Sequence, residues 1–168
     1  PKKNTPRVLK AYSDYLKQST QKLPLLIADL KGDVIDQILE EENIREIKSY
    51  IHAPGYIANT DLAALYCGAF AFLYPSLRES FGIPMLEAMA CGTPIIAGNT
   101  SAMPEIAGEG ALLADPFNSN DITEKILQLE NDQTLYQQQV EYGIQRSQLF
   151  SWRNTAESLL KIYKEFAK

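Results

Sequence analysis

Apolar residues recur along this chain at two spacings, one helical and one extended, which alternate almost from end to end. Val8, Leu9, Tyr12, Tyr15 and Leu16 share one helical face behind Pro6, a residue suited to a first helical turn. Leu25-Leu-Ile-Ala predicts a short buried strand, and a helix follows from about Asp33 with Ile35, Ile38 and Leu39 inward. Weak alternation over residues 46–51 predicts the next strand, and Ala53-Pro-Gly-Tyr-Ile a loop. Asn59-Thr-Asp then opens a helix carrying Leu62, Leu65 and Tyr66, with Asn59 as its expected cap. A strand over 69–74, a Gly-Ile-Pro turn, a helix to about Ala90 and a strand over 94–97 continue the alternation. A helical turn over 104–107 and a strand over 111–113 close it. After Pro116 the pattern is helical only, over 121–130, 134–149 and 152–166, the last capped by Ser151.

Strands separated by helices require crossover connections, which are right-handed and make the strands parallel. The strands are apolar runs rather than alternations, as burial on both faces demands. The expected architecture is α/β: a Rossmann-like parallel sheet with helices on both faces and a helical C-terminal tail. It forms one domain, with the α/β core in residues 1–116 and helices in 117–168. A doubly wound unit normally opens on a strand, and this chain opens on a helix. A first strand, and with it a preceding domain, is therefore expected upstream.

Composition narrows the chemistry. At 168 residues and 45% hydrophobic, the chain is long enough to bury a real core. Its net charge of −5 weighs against nucleic acid as a partner, which needs a basic face. A local anion site remains open, because backbone dipoles and a single lysine suffice to make one. Cys67 and Cys91 sit in apolar helical contexts and are expected to be buried thiols of a reducing compartment. The lone His52 has no Cys/His cluster around it, so no metal site is expected. No apolar run of 18 residues is present to span a bilayer.

The most informative stretch is Glu79-Ser-Phe-Gly-Ile-Pro-Met-Leu-Glu87, which follows the apolar run of residues 69–74. Neither Gly82 nor Ile83 is a strong side-chain cap, so the first-turn amides of the next helix lack internal partners. Pro84, which has no N–H, suits that turn. Free amides at the end of a strand suit a phosphate, and carboxylates on either side suit sugar hydroxyls. Stabilisation of the helix dipole by acidic residues accounts for the same spacing without any ligand.

The wider segment decides between these. Pro75-Ser-Leu-Arg-Glu-Ser-Phe-Gly-Ile-Pro-Met-Leu-Glu-Ala-Met-Ala-Cys-Gly-Thr-Pro-Ile-Ile-Ala resembles the retaining nucleotide-sugar glycosyltransferases of family 4, which have a two-domain GT-B fold. Lys3-Asn4, Gly55-Tyr-Ile, Asp61-Leu-Ala-Ala-Leu-Tyr, Met103-Pro-Glu-Ile-Ala-Gly, Ala111-Leu-Leu-Ala-Asp-Pro and Phe150-Ser-Trp continue the likeness. It covers nearly the whole chain, but only the C-terminal, donor-binding half of such an enzyme. The resemblance implies that Glu79 contacts the donor sugar at the reacting centre and that Glu87 bonds the ribose hydroxyls. Ser80, Phe81, Gly82 and Ile83 would lie against sugar and phosphate, and Lys3 against the diphosphate. Gly55, Tyr56, Ile57 and Asn59 would lie near the base. Ser80 stands where many members have Gly, and Ala28-Asp29 replaces a Gly that often ends the first visible strand.

By the same resemblance the donor is a GDP- or UDP-linked sugar, GDP-mannose first, with no cofactor or metal. The partners are the N-terminal domain of a longer chain and an acceptor glycan or lipid-linked glycan. The place of work is the cytoplasm, peripherally at the inner face of the cytoplasmic membrane. Another GT-B enzyme, such as a nucleotide-sugar epimerase or a phosphorylase, and a noncatalytic nucleotide-binding domain are the alternatives. Several residues have plainer readings: Arg78 as a solvated charge, residues 137–139 as a solvated face and Trp152 as a core anchor for the last helix. Tyr56 fits a stacking platform and a surface tyrosine equally well, and Lys3 fits a solvated terminal lysine.

Overall fold

The computed structural model describes residues 2–167. Helix and strand alternate as α1 (Thr5–Gln18), β1 (Leu25–Ala28), α2 (Gly32–Glu41), β2 (Ile51–Gly55), α3 (Asn59–Gly68) and β3 (Phe72–Tyr74). They continue as α4 (Ile83–Ala90), β4 (Ile95–Gly98), α5 (Met103–Ala107) and β5 (Leu112–Ala114), and end in α6 (Ser119–Asn131), α7 (Gln133–Ser147) and α8 (Trp152–Phe166). The pairs β1–β2, β3–β4 and β4–β5 are all parallel, as the crossover helices require.

The strands form two sheets, β1-β2 and β3-β4-β5, where one continuous sheet was expected. Side chains rather than backbone pairing join them. Leu9, Tyr12, Tyr15 and Leu16 of α1 share one apolar cluster with Ile35 and Leu39 of α2, Ile96 of β4, and Ile122, Ile126 and Leu129 of α6. On the other side, Ile95 and Ala97 of β4 pack with Met85, Ala88 and Met89 of α4 and with Met103 and Ile106 of α5. Alternate residues of one strand thus feed two cores, and all four residues of β4 are buried. That is why this strand reads as an apolar run. By contrast, β1 and β2 alternate between half-buried and exposed positions, and Leu26 is exposed.

Residues 46–51 are not a strand. A 3-10 helix occupies Arg45–Tyr50 and buries Ile47, and the strand begins at Ile51. It runs through Pro54, where a loop was expected. β2 pairs only with β1, and the register slips between Leu26 and Ala28, so one extra residue of β2 bulges out near the proline.

Three further expectations fail on burial. Cys67 is exposed and Cys91 half-buried, because α3 has no fully buried side chain and Cys91 is the C-cap of α4. Gln139 is buried with its Oε1 unpartnered, although its neighbours in 137–138 face solvent. Trp152 is 83% exposed, and α8 buries none of its residues despite an apolar stripe that includes Leu159, Ile162 and Phe166. Its start is as expected, with Ser151 Oγ accepting from the Asn154 amide at 3.0 Å. Among the described residues no helix is long and apolar enough to cross a membrane.

Gly98, at the end of β4, has no room for a side chain: an added Cβ would lie 2.8 Å from the Ser76 carbonyl oxygen and 2.9 Å from Met103 Cε. A backbone carbonyl cannot swing away as a side chain can. Gly98→Ala should therefore cost about 1–3 kcal/mol in urea unfolding. Gly68→Ala, where nothing lies within 4 Å, should be neutral or stabilising in the same measurement.

Candidate functional site

The loops that leave β3, β4 and β5 are tied to one another and to the turn that precedes α1. Asn4 Nδ2 donates to the Pro75 carbonyl at 3.0 Å and to the Pro116 carbonyl at 2.6 Å. The Leu77 amide donates to the Lys2 carbonyl at 3.0 Å. Thr100 Oγ1 donates to the Leu77 carbonyl at 3.3 Å, and Ser101 Oγ donates to the Glu79 carbonyl at 2.5 Å. The Glu79 amide returns a bond to Ser101 Oγ at 3.3 Å. The backbone of Glu79 is thus clamped from the neighbouring loop.

The Glu79 side chain lies inside this convergence, in a residue only 8% exposed. Lys3 Nζ donates to Oε1 at 2.8 Å and to the Tyr74 hydroxyl at 3.0 Å, and it stands 4.6 Å from the centre of the Tyr74 ring. Lys2 Nζ is 3.3 Å from Oε2. Burial by itself pushes the Glu79 carboxyl up, but the Lys3 ammonium, then Tyr74 and Ser76, outweigh it and hold the group below the usual carboxylate range. For Lys3, burial acts downward, and Glu79 and then Tyr74 outweigh it to leave the ammonium above its ordinary value. The two partners shift in opposite directions, as an ion pair must.

Next to this pair begins α4. Gly82 is its N-cap, in the left-handed region at φ 96° and without a side-chain cap bond. It is this conformation that favours glycine, since a Cβ there would meet only the movable tip of Met85, 2.8 Å away at Cε. The Met85 amide already bonds to the Gly82 carbonyl at 3.0 Å, and Pro84 has no amide. The Ile83 amide, in the first turn, has no intrahelical partner. Ser80, Phe81 and Ile83 are exposed around it, and Phe81 rests edge-on against Phe150 at 5.9 Å. Glu87 lies one turn further along α4, exposed and beside Tyr66 of α3. Burial and then this carboxylate push the Tyr66 phenol up to about 12.

The residues expected near a base stand apart from this cluster. Gly55 ends β2, on the other sheet, with φ +81°. Tyr56 is 79% exposed, and Ile57 is half-buried. Asn59 is not a cap: it is already helical, and Ala58 holds the N-cap position with no side-chain bond. Packing of α3 on α4 is what links this loop to Glu87. The structure therefore joins Lys3 to Glu79 directly, keeps residues 80–83 and Glu87 on the adjoining turn and helix, and holds Gly55, Tyr56, Ile57 and Asn59 on a separate rim. Arg78 is exposed, as a solvated charge would be.

Sequence reasoning missed Lys2, Tyr74, Ser101 and the role of Asn4. A phenol at the last position of an apolar strand was a readable signal for Tyr74. Nothing local marked Ser101, which reaches Glu79 only through the pairing of β3 with β4. Among the described residues, no group of three or more His, Cys, Asp or Glu side chains could hold a metal ion.

A lysine–carboxylate pair thus lies at the strand ends of an α/β domain, beside the start of α4, on the side where folds of this class receive ligands. The chain belongs to the family of glycosyl transferases group 1, whose model matches residues 1–146. It is 35% identical over 167 residues to the O-antigen chain mannosyltransferase B of Escherichia coli, covering 98% of this chain and 43% of that protein. The chain thus spans less than half the length of this relative. Its fold matches the sucrose-phosphate synthase of Thermosynechococcus elongatus with a TM-score of 0.81 at 24% identity, over 98% of this chain and 42% of that one. It also matches the C-terminal domain of the glycosyl transferase group 1 protein LpcC from Francisella tularensis. There the TM-score is 0.73 at 24% identity, over 88% of this chain and 79% of that one.

The ion pair sets a pH window. Glu79 titrates below its ordinary 4.5, so its stabilising effect is complete above that value and is lost as pH falls through the lowered pKa. Lys3 titrates above its ordinary 10.5, so its effect is present below that value and is lost as pH rises through the raised pKa. Urea midpoints of the wild type and Glu79→Gln should differ at neutral pH and converge as pH falls through the lowered Glu79 pKa.

Proposed function

We propose that this chain is the donor-binding domain of a retaining hexosyltransferase that uses a nucleoside-diphosphate sugar, GDP-mannose first and UDP-linked sugars next. The observation that carries this reading is the Lys3–Glu79 pair at 2.8 Å, seated beside the open start of α4. The 35% identity to an O-antigen mannosyltransferase supports mannose as the sugar.

The chemistry follows from charge. When the bond between the sugar's anomeric carbon and the diphosphate breaks, its electron pair passes to the leaving phosphate oxygen. A cation and backbone amides placed at that oxygen stabilise the transition state more than the ground state. Lys3 and the Ile83 amide supply them. Glu79, held charged and below its ordinary pKa, accepts hydrogen bonds from sugar hydroxyls and favours a carbocation-like centre. Glu87, exposed on the first turns of α4, takes the ribose hydroxyls, while residues 55–59 border the base. Donor entry exchanges the Lys3–Glu79 contact for one from Lys3 to phosphate and one from a sugar hydroxyl to Glu79, while Lys2 remains the cation at Glu79 Oε2.

The acceptor, a glycan or lipid-linked glycan, is assigned to the part of a longer enzyme that this chain does not span. That enzyme works in the cytoplasm, at the inner face of the membrane on which such polymers are built.

Calorimetry with GDP-mannose and with UDP-glucose tests the reading. Glu79→Gln, Glu87→Gln and Lys3→Met should each weaken the preferred nucleotide sugar at least about tenfold, or about 1.4 kcal/mol. Equal binding by all three variants and the wild type would mark a scaffold instead. The chain alone should bind donor weakly and transfer no sugar, so robust transfer by residues 1–168 would place the acceptor site within it.

A further inference from the structure

Asn4 is 1% exposed and adopts φ 60°, ψ 27° at the start of α1, yet its side chain does not cap that helix. Asparagine at such a position ordinarily bonds a first-turn amide. Here the amide group is diverted into the fold. Its two N–H groups go to the carbonyls of Pro75 and Pro116, at 3.0 and 2.6 Å, and its oxygen accepts from Arg7 Nη1 at 3.1 Å. Carbonyls only accept, so Nδ2 must be the atom that faces them. One side chain thereby bridges the loops after β3 and β5, the two outer strands of the three-stranded sheet.

The residues just before it are Lys2 and Lys3. A lysine ammonium rides on a flexible four-carbon stem, so its placement depends on how firmly the backbone beneath it is held. The Lys2 carbonyl is bonded by Leu77, two residues from Glu79, and the Asn4 amide closes the other side of the same turn. Left-handed backbone is tolerated by Asn better than by most residues. The position thus calls for a left-handed residue that also carries two donors, and Asn meets both needs.

We propose that Asn4 is a positioning residue: its buried amide, bonded to the Pro75 and Pro116 carbonyls, fixes the Lys2–Lys3 turn so that the Lys3 ammonium stays at Glu79. Its consequence for donor binding rests on the function proposed above, whereas the placement of Lys3 does not. Asn4→Asp keeps the size and the left-handed tolerance but turns an acceptor toward two carbonyls. Asn4→Gly keeps the backbone conformation and removes the donors. Asp132→Ala, which deletes the side-chain cap of α7 outside these loops, serves as a control for lost stability.

Proton–nitrogen NMR of lysine ammonium groups reads the outcome directly, with Lys3 assigned by the signal missing from Lys3→Arg. The Lys3 signal, slowed in exchange by its bonds, should vanish in Asn4→Asp and Asn4→Gly and persist in Asp132→Ala. GDP-mannose should bind the two Asn4 variants at least tenfold more weakly. A Lys3 signal that survives in folded Asn4→Gly overturns the proposal. Loss of the signal together with wild-type affinity for GDP-mannose in Lys3→Met leaves the positioning intact and removes the donor reading. If both variants fail to fold, side-chain amide exchange in the wild type decides. Asn4 protons should exchange far more slowly than those of the exposed Asn118, and equal rates overturn the proposal.

Discussion

A carboxylate drawn out of water stays charged only if cations and donors reach it, and Glu79 gathers them from separate parts of the chain. The ammonium of Lys3 comes from a residue 76 positions away, Tyr74 ends the preceding strand and Ser76 lies in the loop after it, while Ser101, in the loop after the next strand, holds the Glu79 backbone. Removing one member of such a group leaves a buried charge without compensation, which is more costly than the pair is stabilising. The turn before α1 and the loops after β3, β4 and β5 are therefore constrained together. The same constraint gives the site its polarity, with one anion and a cation held ready within a hydrogen bond of each other.

Rigidity comes from the opposite side of the same elements. Met85, Ala88 and Met89 of α4 are fully buried against β4 and α5, while Ile83 and Glu87 of the same helix face outward. A helix anchored along one face can present groups on the other with little freedom. Gly82 sets where that helix begins, in a left-handed turn at φ 96° that glycine adopts without strain. Packing thus fixes the helix start against the strand ends, which is where a ligand of this family of folds is received.

Much of this was legible in the chain itself. The helix/strand order followed from apolar spacing because most elements face a core on a definite side. The run in β4 was clear because both its faces are buried. The 45–55 region was misread because one buried residue, Ile47, and a proline inside an edge strand produce no clean period. The cysteines, Gln139 and Trp152 were misjudged for a related reason. Periodicity identifies an apolar or polar face, but only the neighbouring elements decide whether anything covers it.

For the candidate site, the sequence alone marked the residues proposed to carry the chemistry: Lys3, Glu79, the Gly82 turn and Glu87 stand in a recognisable motif. An uncapped helix start and a carboxylate on either side of it are properties of contiguous residues, whereas Lys3 entered through the family resemblance. Only the tertiary structure decided that Lys3 meets Glu79, that Tyr74 and Ser101 hold them, and that Asn4 spans two loops instead of capping its helix. Those contacts join residues far apart along the chain, and their geometry depends on how parallel strands bring their carboxyl ends to one place.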